Sequence, residues 1–443
     1  MLLIKEIKKI VKSISYLIFV AAIVIGLYSQ DVFHFNEELL QEPQPGGRYG
    51  FKHEEIPEII MPAALSDLWA EFSANNYRTY PIGFIKYIKL NESKNRKMAE
   101  ILSEITGNKV EVILQEGKAT FDNPDNVTFE IGGDTMQQDS NGGFIINSDS
   151  KPQDNVGRIM LKVREDMDYS RFKELMGLAD SLLGGGSNYA SDSLTRYGSV
   201  PLTYEEAKER YNLAINSDQV TGGYARLFSD YAGVMVMSIL PVFLAVILCM
   251  KDQRSKMEAL IYTKKISAGK LVLIRYLALV IAAMVPVVIL SYLSNIMVWA
   301  SYSGIKLDYF APLKYDFGWL LPSVMISIAI GMAFTELTGT PIAVAVQGLW
   351  WMFDLNLGIK TVDSGYSLFR LAPRHNAGAG SWFRTQDYLE NFQDLVQNRL
   401  LFVGISLLLV MFTILVYKEK RKGKFSGNVS FKKAVSNIRN CKN

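Results

Sequence analysis

The sequence predicts a polytopic α-helical membrane protein with six transmembrane helices and a large α+β extracytoplasmic domain between the first and the second. Three observations predict it. Apolar runs recur six times, most of them near the ~20 residues that a bilayer core requires. A long polar stretch, residues 31–228, separates the first run from the second. Lys and Arg gather in the segments that alternate to one side of those runs. Composition agrees: 49% of the 443 residues are hydrophobic and 21% charged, too charged for a bare bundle and too apolar for an ordinary soluble enzyme. The net charge is only +3 and gives no reason to expect a nucleic acid partner.

The chain opens with residues 1–30. Lys5, Lys8, Lys9 and Lys12 precede the apolar run Ile14–Tyr28, a short but adequate span. Leu27-Tyr28-Ser29 makes a poor signal-peptide cleavage site, so the helix is expected to stay, with its lysines in the cytoplasm.

Residues 31–228 have the texture of a folded domain. Helices are predicted at Leu65–Ser73, Ser93–Thr106, Tyr169–Leu183 and Thr203–Leu213, the last behind a Thr203-x-x-Glu206 capping box. Strands are predicted at Lys109–Leu114, Val127–Ile131, Gly143–Ile146 and Arg158–Val163. Gly184-Gly185-Gly186-Ser187 reads as a flexible turn, because no Gly-Lys-Ser/Thr follows to make it a phosphate loop. Neither of the two cysteines, Cys249 and Cys441, lies here, so this domain folds on its apolar core without a disulfide framework.

Residues 229–417 hold the other five runs: Asp230–Met250, Lys270–Ala300, Phe317–Thr335, Pro341–Asp354 and Leu400–Tyr417. Pro286 lies mid-run in the third span and is expected to kink it. Within the outer segment 357–397 and just beyond it, Tyr388, Phe392, Leu395, Val396 and Arg399 share one face of a predicted surface helix. Residues 418–443 form a basic tail, with Lys418, Lys420, Arg421, Lys422, Lys424, Lys432 and Lys433 expected to sit against anionic membrane lipid. Six spans place both termini in the cytoplasm of a multi-pass cell-membrane protein and residues 31–228 outside. Trp299, Trp319, Trp350 and Trp351 then fall at outer span ends, as an interfacial belt would. Asp230, Arg275, Glu336 and Asp354 lie near span ends, where snorkelling is expected to keep them solvated. The span centres carry no charge, which counts against an ion pump or proton-coupled carrier.

The loop 251–269 stands apart. Met257, Leu260 and Ile261 fall at i, i+3 and i+4, a narrow apolar stripe, with Lys251, Arg254, Lys256 and Glu258 on the other faces and Gly269 as a breaker before the next span. Such a helix lies at a membrane surface, either joining two spans or meeting a soluble partner. The order Asp252-x-Arg254, Glu258-Ala259-Leu260-Ile261, Thr263-Lys264-Lys265-x-Ser267 and Lys270 resembles the loop of type-2 ABC exporter permeases, although Lys264 stands where that family often has Pro. The resemblance implies a coupling helix in which Asp252, Arg254, Met257, Glu258, Leu260, Ile261 and Lys264 dock on a separate ATP-binding subunit. It implies ATP and Mg on that partner, no cofactor in this chain, and a second permease subunit, identical or related. The activity implied is export of an unidentified peptide, drug, lipid or glycan.

Two other readings stay open. A mechanotransmitting subunit of the macrolide-exporter type also carries a large outer domain, but has four spans. A membrane-anchored sensor or enzyme would act through residues 31–228. No Walker A motif occurs. His34, His53 and His375 lack the spacing of a zinc site. No acidic pair is singled out as catalytic, and the glycosylation sequons at Asn91 and Asn126 read as chance matches.

Overall fold

The computed structural model describes residues 2–30, 32–33, 39–81, 84–122, 128–131, 134–138, 144–147, 161–254, 265–302, 304–357, 367–374 and 384–423. The chain divides into two compact units, Arg48–Thr203 in one and Met1–Gly47, Tyr204–Gly358 and Asp363–Asn443 in the other.

The second of these, the bundle unit, begins with α1 (Leu2–Val11) and α2 (Ile14–Tyr28), which meet at 68°. Ser13 makes the elbow: its Oγ donates to Ile10 O at 2.7 Å and accepts from Tyr16 N at 3.2 Å, so the break is capped. Lys5, Lys8 and Lys9 therefore stand on a helix of their own, whose Ile10 is buried, and Lys12 lies at the break.

The Arg48–Thr203 unit mixes helices with short antiparallel strands. In order these are β1 (Phe51–His53), α3 (Pro57–Ala74), β2 (Tyr77–Thr79), β3 (Lys86–Ile88), α4 (Glu92–Thr106) and α5 (Val110–Asp122). Then come β4 (Thr128–Ile131), β5 (Asp134–Gln138), β6 (Phe144–Asn147), α6 (Tyr169–Leu182) and β7 (Ser199–Pro201). Strand β1 pairs with β7, β2 with β3, and β4–β5–β6 form a three-stranded meander. Leu65, Leu68, Trp69 and Phe72 of α3 pack with Met98, Leu102 and Ile105 of α4 and with Phe172, Leu175 and Met176 of α6, each set at helical spacing. Asn91 caps α4 by accepting from Lys94 N at 2.9 Å, and Asp168 caps α6 in the same way.

Two strand expectations fail in this unit. Lys109–Leu114 is not a strand: from Val110 onward the chain is α5. Its β-branched residues suggested alternation, but Val110, Ile113, Leu114 and Gly117 share a helical face. A Cβ on Gly117 would lie 2.7 Å from Phe72 Cε1, so the glycine lets α5 close on α3. Of Arg158–Val163, only 161–163 are described, and they are not strand; the following Arg164 N donates to Ile105 O at 3.0 Å. The glycine run 184–186 is an ordered left-handed turn, with Tyr80 N donating to Gly186 O at 2.7 Å.

The chain re-enters the bundle unit at α7 (Tyr204–Asp218). Residues 204–228, whose polar texture suggested the outer domain, thus pack with the membrane helices. Next come α8 (Thr221–Ala232), a π-helical turn (Gly233–Met237) and α9 (Leu240–Arg254), with a bend of 44° across the break. Helix α10 (Ala268–Ser301) is one continuous helix with Pro286 inside it. Gly269 does not break a helix but lies in the first turn of α10, where Ser267 caps by accepting from Lys270 N at 3.3 Å. The chain continues through α11 (Ala311–Tyr315), a second π turn (Asp316–Leu320), α12 (Leu321–Thr338), α13 (Ile342–Leu357), α14 (Thr385–Glu390) and α15 (Phe392–Arg421).

Among the described residues, three helical stretches are long and apolar enough to cross a membrane: Ala268–Ser301, Ala311–Thr338 and Phe392–Arg421. Counting the bent pairs α1/α2 and α8/α9 as one span each gives five. Helix α13, at 16 residues, is shorter than a span of that kind. The protein is therefore a helical membrane protein with three to five candidate spans. Helix α12 lies at its centre, with 72% of its apolar window buried inside the protein against 28% for α15. It presses against α9 at Gly331, where a Cβ would stand 2.6 Å from Ala245 Cβ and 3.1 Å from Val242 O. Small residues draw membrane helices together in this way.

Three further expectations are corrected. Phe392–Arg399 is not part of a separate surface helix but the first two turns of α15. Trp319 does not face lipid: it is 1% exposed, and its Nε1 donates to Pro373 O at 3.3 Å. Lys418, Lys420 and Arg421 belong to α15, not to a detached tail.

Candidate functional site

Of the loop residues expected to dock a partner, only Asp252 and Arg254 are among the described residues. Asp252 and Arg254 end α9. Met257, Glu258, Leu260, Ile261 and Lys264 lie outside the described residues, as do the tail residues Lys424, Lys432 and Lys433. What is described is the base of the loop. Arg421 Nη1, at the end of α15, donates to Ile266 O at 2.5 Å, and Lys420 Nζ lies 3.5 Å from Glu336 Oε2 at the end of α12. Beside this base an open apolar groove of about 860 Å³ runs between α9 and α13, lined by residues that include Met250, Lys251 and Pro341.

At the opposite end of the bundle, segment 367–374 is tied in by buried charges. Asp354, near the end of α13, accepts from Leu371 N at 2.9 Å and Ala372 N at 3.3 Å. Arg370 Nη1 and Arg374 Nη2 donate to Asp354 O at 2.7 and 2.8 Å. From α15, Asn398 Nδ2 donates to Ser367 O, Leu368 O and Arg370 O. The guanidinium of Arg399 spreads over Trp319 O at 2.9 Å, Ser323 Oγ at 2.8 Å and Arg370 O at 3.0 Å. A planar fork of donors suits such a ring of carbonyls, and a bare ammonium does not.

A second knot lies at the same end. Arg226 of α8, fully buried, donates to Asp218 Oδ2 at 2.6 Å and to Tyr315 OH at 3.1 Å, with the Tyr388 ring 4.2 Å from its guanidinium carbon. Tyr315 OH and Thr385 Oγ1 both donate to Asp218, at 3.2 Å each, so four elements close on one ion pair.

Asp230, Arg275, Glu336 and Asp354 were expected to be solvated at span ends. They are instead 3, 5, 6 and 5% exposed. Proximity to a span end did not predict water, because neighbouring helices cover those ends. Arg226, Arg370 and Arg374 were not singled out, and Arg399 was placed only on a helix face; the available signal was a guanidinium beside apolar and aromatic residues close to a run.

The chain matches no family model, no curated protein and no solved structure.

The Arg48–Thr203 unit contains its own polar cluster, also missed. Glu71 and Asp67 sit one turn apart on α3 around Arg78, whose Nε lies 3.2 Å from Glu71 Oε1 and whose Nη2 lies 3.5 Å from Asp67 Oδ1. Tyr189 OH donates to Glu71 at 2.8 Å and Tyr197 OH to Asp67 at 2.7 Å. Burial pushes the Glu71 carboxyl up from the usual range, outweighing those hydrogen bonds, and pushes both phenols up as well. Among the described residues no cluster of His, Cys, Asp and Glu is arranged to hold a metal ion.

Proposed function

We propose that the chain is the membrane subunit of an ATP-driven exporter, docking through the loop 251–269 on a separate ATP-binding subunit and pairing with a second permease, identical or related. On this reading six helices span the membrane, with α13 as a short fifth span. Both termini and the loop are cytoplasmic, and the Arg48–Thr203 unit is outside. ATP and Mg belong to the partner; this chain moves and does not hydrolyse.

The observation that carries the reading is the anchoring of the loop base. A loop that transmits force needs its ends fixed to the helices that respond. The bond from Arg421 to Ile266 and the ion pair between Lys420 and Glu336 join the start of α10, the end of α12 and the end of α15 beside the loop. The loop's order of residue types supports the same reading.

Purification from the native membrane in mild detergent, with mass spectrometry of what accompanies the chain, tests it. An ATP-binding subunit in stoichiometric amount is expected. A chain that purifies without any nucleotide-binding partner, and whose membranes show no ATP-dependent export, overturns the proposal.

A further inference from the structure

Asp316 opens the π turn Asp316–Leu320 and is 0% exposed. The hydroxyls of Ser229 on α8 and Ser291 on α10 adjoin its carboxyl group, and both serines are 0% exposed. Among the described residues neither carboxylate oxygen and neither hydroxyl meets a partner at full hydrogen-bond distance and angle. The two carboxylate oxygens and the two hydroxyls are thus buried side by side.

Among the described residues no cation pairs with the carboxylate. The charged and titratable groups on the packed elements are engaged elsewhere or remote. On α8, Arg226 is held by Asp218, Tyr224 bonds Tyr302, and Asp230 acts on Arg374. On α11, Lys314 pairs with Asp308 and Tyr315 bonds Asp218. On α10, Arg275 precedes Ser291 by sixteen residues, about 24 Å along the helix, with Tyr276 and Lys270 at the same far end. Glu336 is equally far along α12. Tyr292, next to Ser291, feels the Asp316 carboxylate but brings no positive charge.

A buried carboxylate without a counter-charge is neutralised, because ionising it in an apolar interior costs far more than the fold can supply. A hard metal cation gathers about six or more oxygen ligands, and three side chains fall well short of that. A proton needs only one acceptor, and a serine hydroxyl provides it. We propose that Asp316 is a proton-binding site: in this conformation it carries a proton, donates it to one serine hydroxyl and accepts from the other.

The backbone around the site is made to move. π turns interrupt both Asp316–Leu320 and Gly233–Met237, and such turns collect at functional positions. The two meet where a Cβ on Gly233 would be 3.2 Å from Leu320 Cδ2. Resetting either turn by one residue redirects Asp316 or the segment after Ser229, and the proton gains a route to water. Bundle conformation and proton occupancy are then one equilibrium, whether or not an ATPase drives it.

Asp316→Asn is the test, since asparagine keeps the shape and the neutrality of the protonated acid. The full chain in detergent, unfolded with guanidinium chloride in weakly buffered neutral solution, should release one proton more per chain from wild type than from Asp316→Asn. Equal release overturns the proposal. Equal release together with a sodium-dependent rise in the thermal stability of wild type, absent from Asp316→Asn, would make this a cation site instead. If Asp316→Asn does not fold, infrared spectra of wild type and Ser291→Ala with labelled aspartate decide. A protonated-acid carbonyl band that shifts in Ser291→Ala upholds the site, and the absence of any band that shifts overturns it.

Discussion

Lys420 and Glu336 bury their side chains against each other, 7% and 8% exposed, with Nζ 3.5 Å from Oε2, and so join the ends of α15 and α12. The helical end of the last span is thereby locked to the central helix beside the loop. Removing one member of such a pair strands the other. Glu336→Gln or Lys420→Met alone should destabilise the bundle by about 3–5 kcal/mol, and the double change Glu336→Leu/Lys420→Met by much less. Thermal unfolding in detergent measures both; additive losses would show that the pair is not coupled.

Arg399→Lys should behave almost as badly as Arg399→Leu. Either leaves Trp319 O and Arg370 O short of donors in a dry site, at about 1–3 kcal/mol for each unsatisfied group. Limited proteolysis of segment 367–374, compared between wild type and Arg399→Lys, reads the loss directly. Protection equal to that of wild type in the lysine variant would mean that charge alone suffices.

Stability of the Arg48–Thr203 unit should fall as pH rises. Because burial raises the Glu71 value, its contribution is fully present below the unfolded value, about 4.3, and is lost as pH climbs through the folded one. Glu71→Gln fixes the neutral form. The melting temperature of the variant minus that of wild type should therefore increase between about pH 4 and pH 8. A difference that stays flat would refute the assignment.

Sidedness is open to a chemical test. In a background with Cys249 and Cys441 replaced, cysteine at exposed Glu92 should react with an impermeant maleimide in intact cells, and cysteine at exposed Ser267 only after lysis. Labelling of position 267 from outside would invert the topology.

The loop can be read by two substitutions of opposite character. If it docks an ATPase, Glu258→Ala removes a carboxylate able to take charge-assisted hydrogen bonds, and partner recovery should fall with insertion unchanged. A mere linking helix predicts that Met257→Asp is harmful and Glu258→Ala silent.

Periodicity made much of this fold legible. Helices α2, α4, α6 and α10 stand within two residues of expectation, because a repeating or unbroken apolar pattern is a local signal. What stayed hidden was set by partners far along the chain. Lys109–Leu114 looked like a strand until Phe72 supplied the surface for a helix. Trp319 looked interfacial until segment 367–374 covered it. Asp316 drew no notice and Arg399 was read only as part of a helix face, because a charged residue beside an apolar run looks the same whether water or protein surrounds it. The loop's residue order was readable, but its geometry lies outside the described residues.

The close approach at Gly331 bears on how such a bundle deforms. With Ala245 and Val242 within contact range of a position that lacks even a methyl group, α9 and α12 have no clearance to roll or slide past each other. At this contact the two helices are held together as one packed unit. Compliance is left to the seam between α9 and α13, where the open groove beside Met250 and Pro341 leaves side chains unopposed. Near the loop the bundle thus sets a closely packed spar of α9 and α12 beside an open seam along α13.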